Sequence, residues 1–136
     1  MGYRSDVSIT CNKSAFSELI KRLKKDKVNM DYFDISKPWD DLWLITVDNI
    51  KWYSYDGIQT TIENWMHDCI ESSEPLSEGQ FHGQIHHIRI GEDYDDVEED
   101  YYGDWLDDGM YVERYTARPE GGPRVTIVCP WGYDLG

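Results

Sequence analysis

Tyr3-Arg4-Ser5-Asp6-Val7-Ser8-Ile9-Thr10-Cys11-Asn12-Lys13-Ser14-Ala15-Phe16-Ser17-Glu18-Leu19-Ile20-Lys21-Arg22-Leu23 changes its hydrophobic period along its length, after a strand signal over residues 3–10. Val7, Ile9 and Cys11 alternate with Ser8 and Thr10, the period of two that gives a strand one apolar face. Phe16, Leu19, Ile20 and Leu23 then recur at i, i+3, i+4 and i+7, the stripe of an amphipathic helix. Ser14 is placed to cap that helix. Lys21, Lys24 and Lys25 lie on its far face, and those near its end complement the helix dipole. A strand running directly into a helix is the first unit of a mixed fold.

Working outward, residues 31–41 carry turn signals at Pro38 and Asp40-Asp41. Residues 42–47 are apolar and 50–53 largely aromatic. Asp48-Asn49 between them predicts a tight turn and a hairpin, with one bent strand as the alternative. Asp56 stands three residues before Gln59, a start resembling a capping box. Ile58, Ile62, Trp65, Met66, Cys69 and Ile70 form the stripe of a second helix. Residues 72–79, with Pro75, read as a loop and 81–90 as one strand. Residues 92–108 read as an acidic loop or surface element. Two more strands, 111–117 and 124–129, flank a turn at 119–123 that contains Gly121-Gly122. The order β-α-β-β-α-β-loop-β-β predicts a single α+β domain over 1–136, with two helices packed on one face of a mostly antiparallel sheet.

Composition bounds the function. The chain has 136 residues, 40% of them hydrophobic and 14% aromatic, with a formal net charge of −14. An aromatic content this high argues against disorder. The charge repels phosphates, so direct binding to DNA or RNA, or to an anionic membrane, is not expected. No run approaches the ~18 apolar residues of a membrane span, and the N-terminal residues lack the apolar core of a secretory signal. Cys11, Cys69 and Cys129 are odd in number and widely spaced, which fits reduced thiols in a cytoplasm.

The charge is located as well as large. Residues 1–30 carry seven basic and three acidic side chains. Residues 92–108 carry ten carboxylates and no basic residue. Glu92, Asp93, Asp95, Asp96, Glu98, Glu99, Asp100, Asp104, Asp107 and Asp108 are interleaved there with Tyr94, Tyr101, Tyr102 and Trp105. Carboxylates with aromatic anchors suit a cationic protein surface, including one that normally holds nucleic acid. A solvated acidic face that keeps the protein soluble is the plainer reading. The run from Asp93 lacks the oxygen ligand and glycine that an EF-hand loop needs at its fifth and sixth positions, so no metal site is expected there.

His82 and His86 share a face if 81–90 is one strand, because their spacing is even. With a nearby carboxylate they form the alternative reading, a small metal-dependent or hydrolytic enzyme. No nucleophile elbow, phosphate-binding glycine loop or zinc signature supports catalysis. No catalytic residue and no cofactor is expected. Arg4, Arg89 and Arg114 are few against the acidic field and are expected to be paired structurally.

The opening Met1-Gly2-Tyr3-Arg4-Ser5-Asp6-Val7, the central Ile50-Lys51-Trp52-Tyr53 and the later Ile88-Arg89-Ile90-Gly91-Glu92-Asp93-Tyr94-Asp95-Asp96 resemble, in that order, segments of small bacteriophage- and prophage-encoded proteins. The resemblance spans about residues 1–100 and carries no activity. It implies a phage or mobile-element origin, and by analogy an accessory or anti-defence protein in the host cytoplasm. The expected function is non-enzymatic: binding a host protein with a basic surface, such as a nucleic-acid-binding protein, with nucleic-acid mimicry as one form. A structural role as a homo-oligomer, favoured by exposed Trp39, Trp43 or Trp52, is the further alternative.

Overall fold

The computed structural model of the chain describes residues 5–50, 58–91, 96–115 and 124–129. The period switch is realised as β1 (Ser5–Cys11) running into α1 (Lys13–Lys25). The helix cap is Asn12 and not Ser14. Asn12 is extended, and its Oδ1 accepts the Ala15 N–H at 3.2 Å and the Gln84 N–H at 3.1 Å. One amide oxygen thus starts the helix and ties it to a neighbouring strand. Ser14 already lies inside the first turn, where its hydroxyl donates to the His82 carbonyl at 2.9 Å.

β2 (Asp34–Trp39) and β3 (Leu42–Ile50) form a hairpin that turns at Asp40-Asp41, with Trp39 opposite Leu42 and Asp41 at φ +62°. Aspartate tolerates this left-handed conformation better than most residues. The turn expected at Asp48-Asn49 is absent. β3 continues through them, because β1 uses its whole length: Val7 pairs with Val47 and Ser5 with Ile50. Three steps on β3 face two on β1, so the polar pair lies in a bulge.

α2 (Ile58–Asp68) buries Ile58, Thr61, Ile62, Trp65 and Met66, and the Trp65 indole N–H donates to the Ala15 carbonyl at 2.8 Å. Its expected cap, Asp56, lies outside the described residues. Cys69 and Ile70 leave the helix as β4 (Cys69–Ile70), which pairs in parallel with β5 (Phe81–His82). Their apolar spacing extends the helical stripe, but their backbone is taken by the second ladder. The single strand expected over 81–90 is broken at Gly83. A Cβ there would lie 3.1 Å from Ala15 Cβ and 3.2 Å from Cys69 Sγ, so the strand closes on α1 and β4 at this point.

β6 (Gln84–Ile90) pairs with β1 on one side and with β7 (Val97–Gly103) on the other. The acidic segment is therefore not a loop through its middle. It is an edge strand in unbroken register, from Ile90 opposite Val97 to Gln84 opposite Gly103. β8 (Tyr111–Tyr115) and β9 (Arg124–Val128) form an antiparallel pair, and the residues joining them lie outside the described set.

The main sheet has the order β2-β3-β1-β6-β7 and is antiparallel throughout. α1 and α2 pack on one face, over Val7, Ile9, Cys11, Ile45, Val47 and Ile85. The expected α+β class, two helices on one face of a mostly antiparallel sheet, is what forms. The other face carries Leu44, Ile88 and Met110, against which Val112, Ile127 and Cys129 pack. Thr10, polar by pattern, is consequently buried on both sides. Among the described residues no helix is long and apolar enough to cross a membrane.

Candidate functional site

Alternation along β6 sends His86 and Ile88 to the face away from the helices, and Ile85, His87 and Arg89 to the helix face. His86 is fully buried there. Its Nδ1–H donates to Asp108 at 2.9 Å (Oδ2) and 3.1 Å (Oδ1), and its Nε2–H donates to Glu99 Oε2 at 2.7 Å. A carboxylate facing each ring nitrogen favours the imidazolium, the form in which both nitrogens donate. Burial opposes that charge. The hydrogen bonds and charges of Asp108 and Glu99 override it and raise the pKa above the ordinary histidine value. Asp108 is buried too, and it also accepts the Thr10 hydroxyl and, at 3.1 Å, the Met110 N–H. A carboxylate with this many donors holds residues 104–110 down on the sheet.

Two rings rise from this base. Tyr101 stacks on His86 at 4.0 Å between centroids and 9° between planes. Trp105 stacks on Tyr101 at 4.2 Å and 26°. The Trp105 carbonyl accepts the Gln84 side-chain amide at 2.6 Å. The stack ends in solvent, with Tyr101 37% and Trp105 66% exposed. Trp105 is thus exposed to solvent yet held from below by the stack. Asp100 and Asp107 are exposed on the same strand and segment.

The remaining acidic residues are used internally. Asp96 and Glu98 bind the buried Arg89 guanidinium at 2.5 Å and 2.8 Å, and Arg89 also donates to Ser5 Oγ at 2.9 Å. Arg89 is paired structurally, as expected. Arg4 and the Arg114 side chain lie outside the described residues. Asp104 accepts the Ser72 N–H at 3.2 Å. Tyr102 turns inward to the main core and meets His67 edge-on at 5.5 Å. Glu92, Asp93, Tyr94 and Asp95 lie outside the described residues. The described carboxylates therefore do not line one face. Strand alternation puts Glu98 and Asp100 on the helix side, and Glu99 with Tyr101 on the other.

His82 and His86 are not brought together. His82 lies on β5, beyond the Gly83 break, with its Nε2 2.7 Å from the Glu74 carbonyl oxygen. Among the described residues no group of three His, Cys, Asp or Glu side chains is placed to hold a metal ion. Trp39 is 44% exposed on β2, while Trp43 is half-buried and stacks on Phe16; Trp52 lies outside the described residues. All three cysteines are free thiols. Burial, the main cause in each, pushes Cys11 up, Cys69 to about 12 and Cys129 to about 11, so none is activated. A polar groove of about 550 Å³ opens between α1 and α2, but Lys21, Arg22 and Lys25 balance Glu18, Asp26 and Asp68 along its walls.

Sequence reasoning singled out the acidic-aromatic segment as one unit; the fold divides its described residues between the two faces of the sheet, and the reasoning missed His86, on which Tyr101 stacks. Glu99 and Tyr101, two apart on β7, fall on the same face as His86 once β6 and β7 are paired. That pairing is not visible in either strand alone. The chain matches no protein-family model, no curated protein and no solved structure.

Proposed function

We propose that this chain is a non-enzymatic binding protein that docks a protein partner with a basic surface, through β7 and the segment that follows it. The single observation that carries the reading is the ring stack. A buried imidazolium clamped by two carboxylates supports Tyr101, and Tyr101 supports a tryptophan that is two-thirds exposed. Exposed, preorganised tryptophan and tyrosine are what interface anchors are made of. Exposed Asp107, on the segment that carries Trp105, within a chain of net charge −14, favours a cationic partner and repels an anionic one. The resemblance to phage-encoded proteins supports a host protein as that partner.

A catalytic role for His86 is disfavoured by its own hydrogen bonds, since both ring nitrogens are engaged by carboxylates and neither is left for a substrate. Mimicry of a phosphate array is a weaker form of the docking reading, because Asp96, Glu98, Glu99, Asp104 and Asp108 are engaged within the fold.

The test is affinity capture from a bacterial lysate at low and high salt, with the wild type, Trp105→Ala, and Asp100→Asn with Asp107→Asn. A protein retained by the wild type at low salt, released at high salt and lost with Trp105→Ala is the expected result. Capture that is indifferent to both salt and Trp105 would overturn the reading.

A further inference from the structure

The two ends of the main sheet are protected differently. The β2 end carries Pro38, which has no N–H, and its register slips between Ser36 and Trp39. Proline and a bulge spoil an edge for any incoming strand. β7, at the other end, has no proline and no register shift over its length. No strand of the described residues lies beyond it, and Glu99, Asp100 and Tyr101 are exposed. Among the described residues, charge alone guards this edge.

The ladder sets which backbone groups are on offer. The Gly91 N–H donates to the Asp96 carbonyl at 2.7 Å, and the Asp104 N–H donates to the Gly83 carbonyl at 3.0 Å. These bonds close the two ends of the β6–β7 ladder and fix its parity. Glu98, Asp100 and Tyr102 turn their N–H and C=O toward β6. Glu99 and Tyr101 turn theirs outward, beside the exposed Trp105.

We propose that the outer edge of β7 pairs backbone to backbone with an extended basic segment of a protein partner, which adds a strand to the sheet. The inference rests on the docking reading above and gives that docking its geometry. Backbone pairing at Glu99 and Tyr101 supplies affinity. Lysine or arginine side chains of the incoming strand fall opposite Glu99 on the Trp105 side, and opposite Glu98 and Asp100 on the other. Glu98 and Glu99 stay paired with Arg89 and His86, so exposed Asp100 and the net negative charge of the chain make the edge selective: acidic strands are repelled and basic ones are drawn in. A second copy of this chain is a poor occupant, because it would set Glu98, Glu99 and Asp100 against the same carboxylates.

The test uses a short synthetic peptide alternating arginine with valine. A matched peptide, N-methylated along the residues of its pairing edge, has equal charge but cannot complete the ladder. Affinities are measured by calorimetry, and amide exchange of the protein is followed residue by residue. Binding of the first peptide is expected to slow exchange at Glu99 and Tyr101, while methylation weakens binding about tenfold or more, the scale of losing one or two backbone hydrogen bonds. Equal binding of both peptides overturns strand addition and leaves docking on the ring stack intact. No binding of either peptide also overturns strand addition; docking then stands or falls on the dependence of lysate capture on Trp105. Protection of Glu99 and Tyr101 in the free protein, together with self-association in sedimentation, overturns the proposal in favour of a second copy.

Discussion

Strand alternation sends His86 to one side of the sheet and His87 to the other. His87, buried on the helix face, is pushed down to about 4, chiefly by burial, with Arg89 and His86 adding to the effect against Glu98. His86 is raised instead. Their linkage to stability has opposite signs. His87 binds its proton more weakly when folded, so stability falls as pH drops from about 6.5 toward 4, by on the order of 3 kcal/mol across that window. His86 binds its proton more tightly when folded. Its contribution is complete below about 6.5 and is lost as pH rises through the higher folded value. Urea titrations from pH 4 to 9 should show His87→Leu flattening the acid limb and His86→Gln flattening the alkaline limb. An alkaline limb unchanged in His86→Gln would mean that His86 is not the titrating group. Asp108→Ala strips the acceptor from His86, Thr10 and Met110 in a buried site, and is expected to cost about 3 kcal/mol. A loss below about 1 kcal/mol would mean that water takes over the role of the carboxylate.

At the scale of elements, two junctions carry more than their length suggests. Asn12 caps α1 and also accepts the Gln84 N–H, so it links the helix to β6. Asn12→Ala is expected to cost about 2 kcal/mol, the upper end for a helix cap, because a strand contact is lost with it. Asn12→Ser should recover part of this in the same denaturation experiment. The β7 edge is the second. Among the described residues no strand lies across this edge from Asp100, and Asp100→Val would turn the centre of the edge from repulsive to adhesive. Concentration-dependent self-association by light scattering, with the far-UV circular dichroism of the monomer unchanged, is the expected outcome. A strictly monomeric Asp100→Val protein would show that Glu98 and Glu99 guard the edge without it.

The whole molecule carries its charge of −14 on a small volume, and that charge acts on folding and docking in opposite directions. Self-repulsion strains the compact state. Raising ionic strength from about 0.01 M to 0.15 M shortens the screening length from about 30 Å to 8 Å, which relieves repulsion and weakens attraction to a basic partner together. Tm should rise over this range while partner affinity falls. A partner affinity that is flat with salt would assign the docking to the rings alone.

The amino-acid sequence by itself determined the α+β class, both helices, most strand positions and the concentration of charge in residues 92–108. These follow from periodicity and composition, which are local and survive in a single chain read from end to end. Three features were decided only by the tertiary structure. Asp48-Asn49 has the chemistry of a turn, yet it became a bulge because β1 holds β3 in its ladder. Cys69 and Ile70 continue a helical stripe, yet they joined β5 because a second ladder took their backbone. The acidic segment has the composition of a solvated loop, yet it became an edge strand because β6 had an open side to fill. That last pairing also built the site. It placed Glu99 and Tyr101 over His86 and brought Asp108, far along the chain, onto Thr10 of β1. Contacts between residues distant in sequence leave no local pattern, so the segment was legible from its charge and its foundation was not.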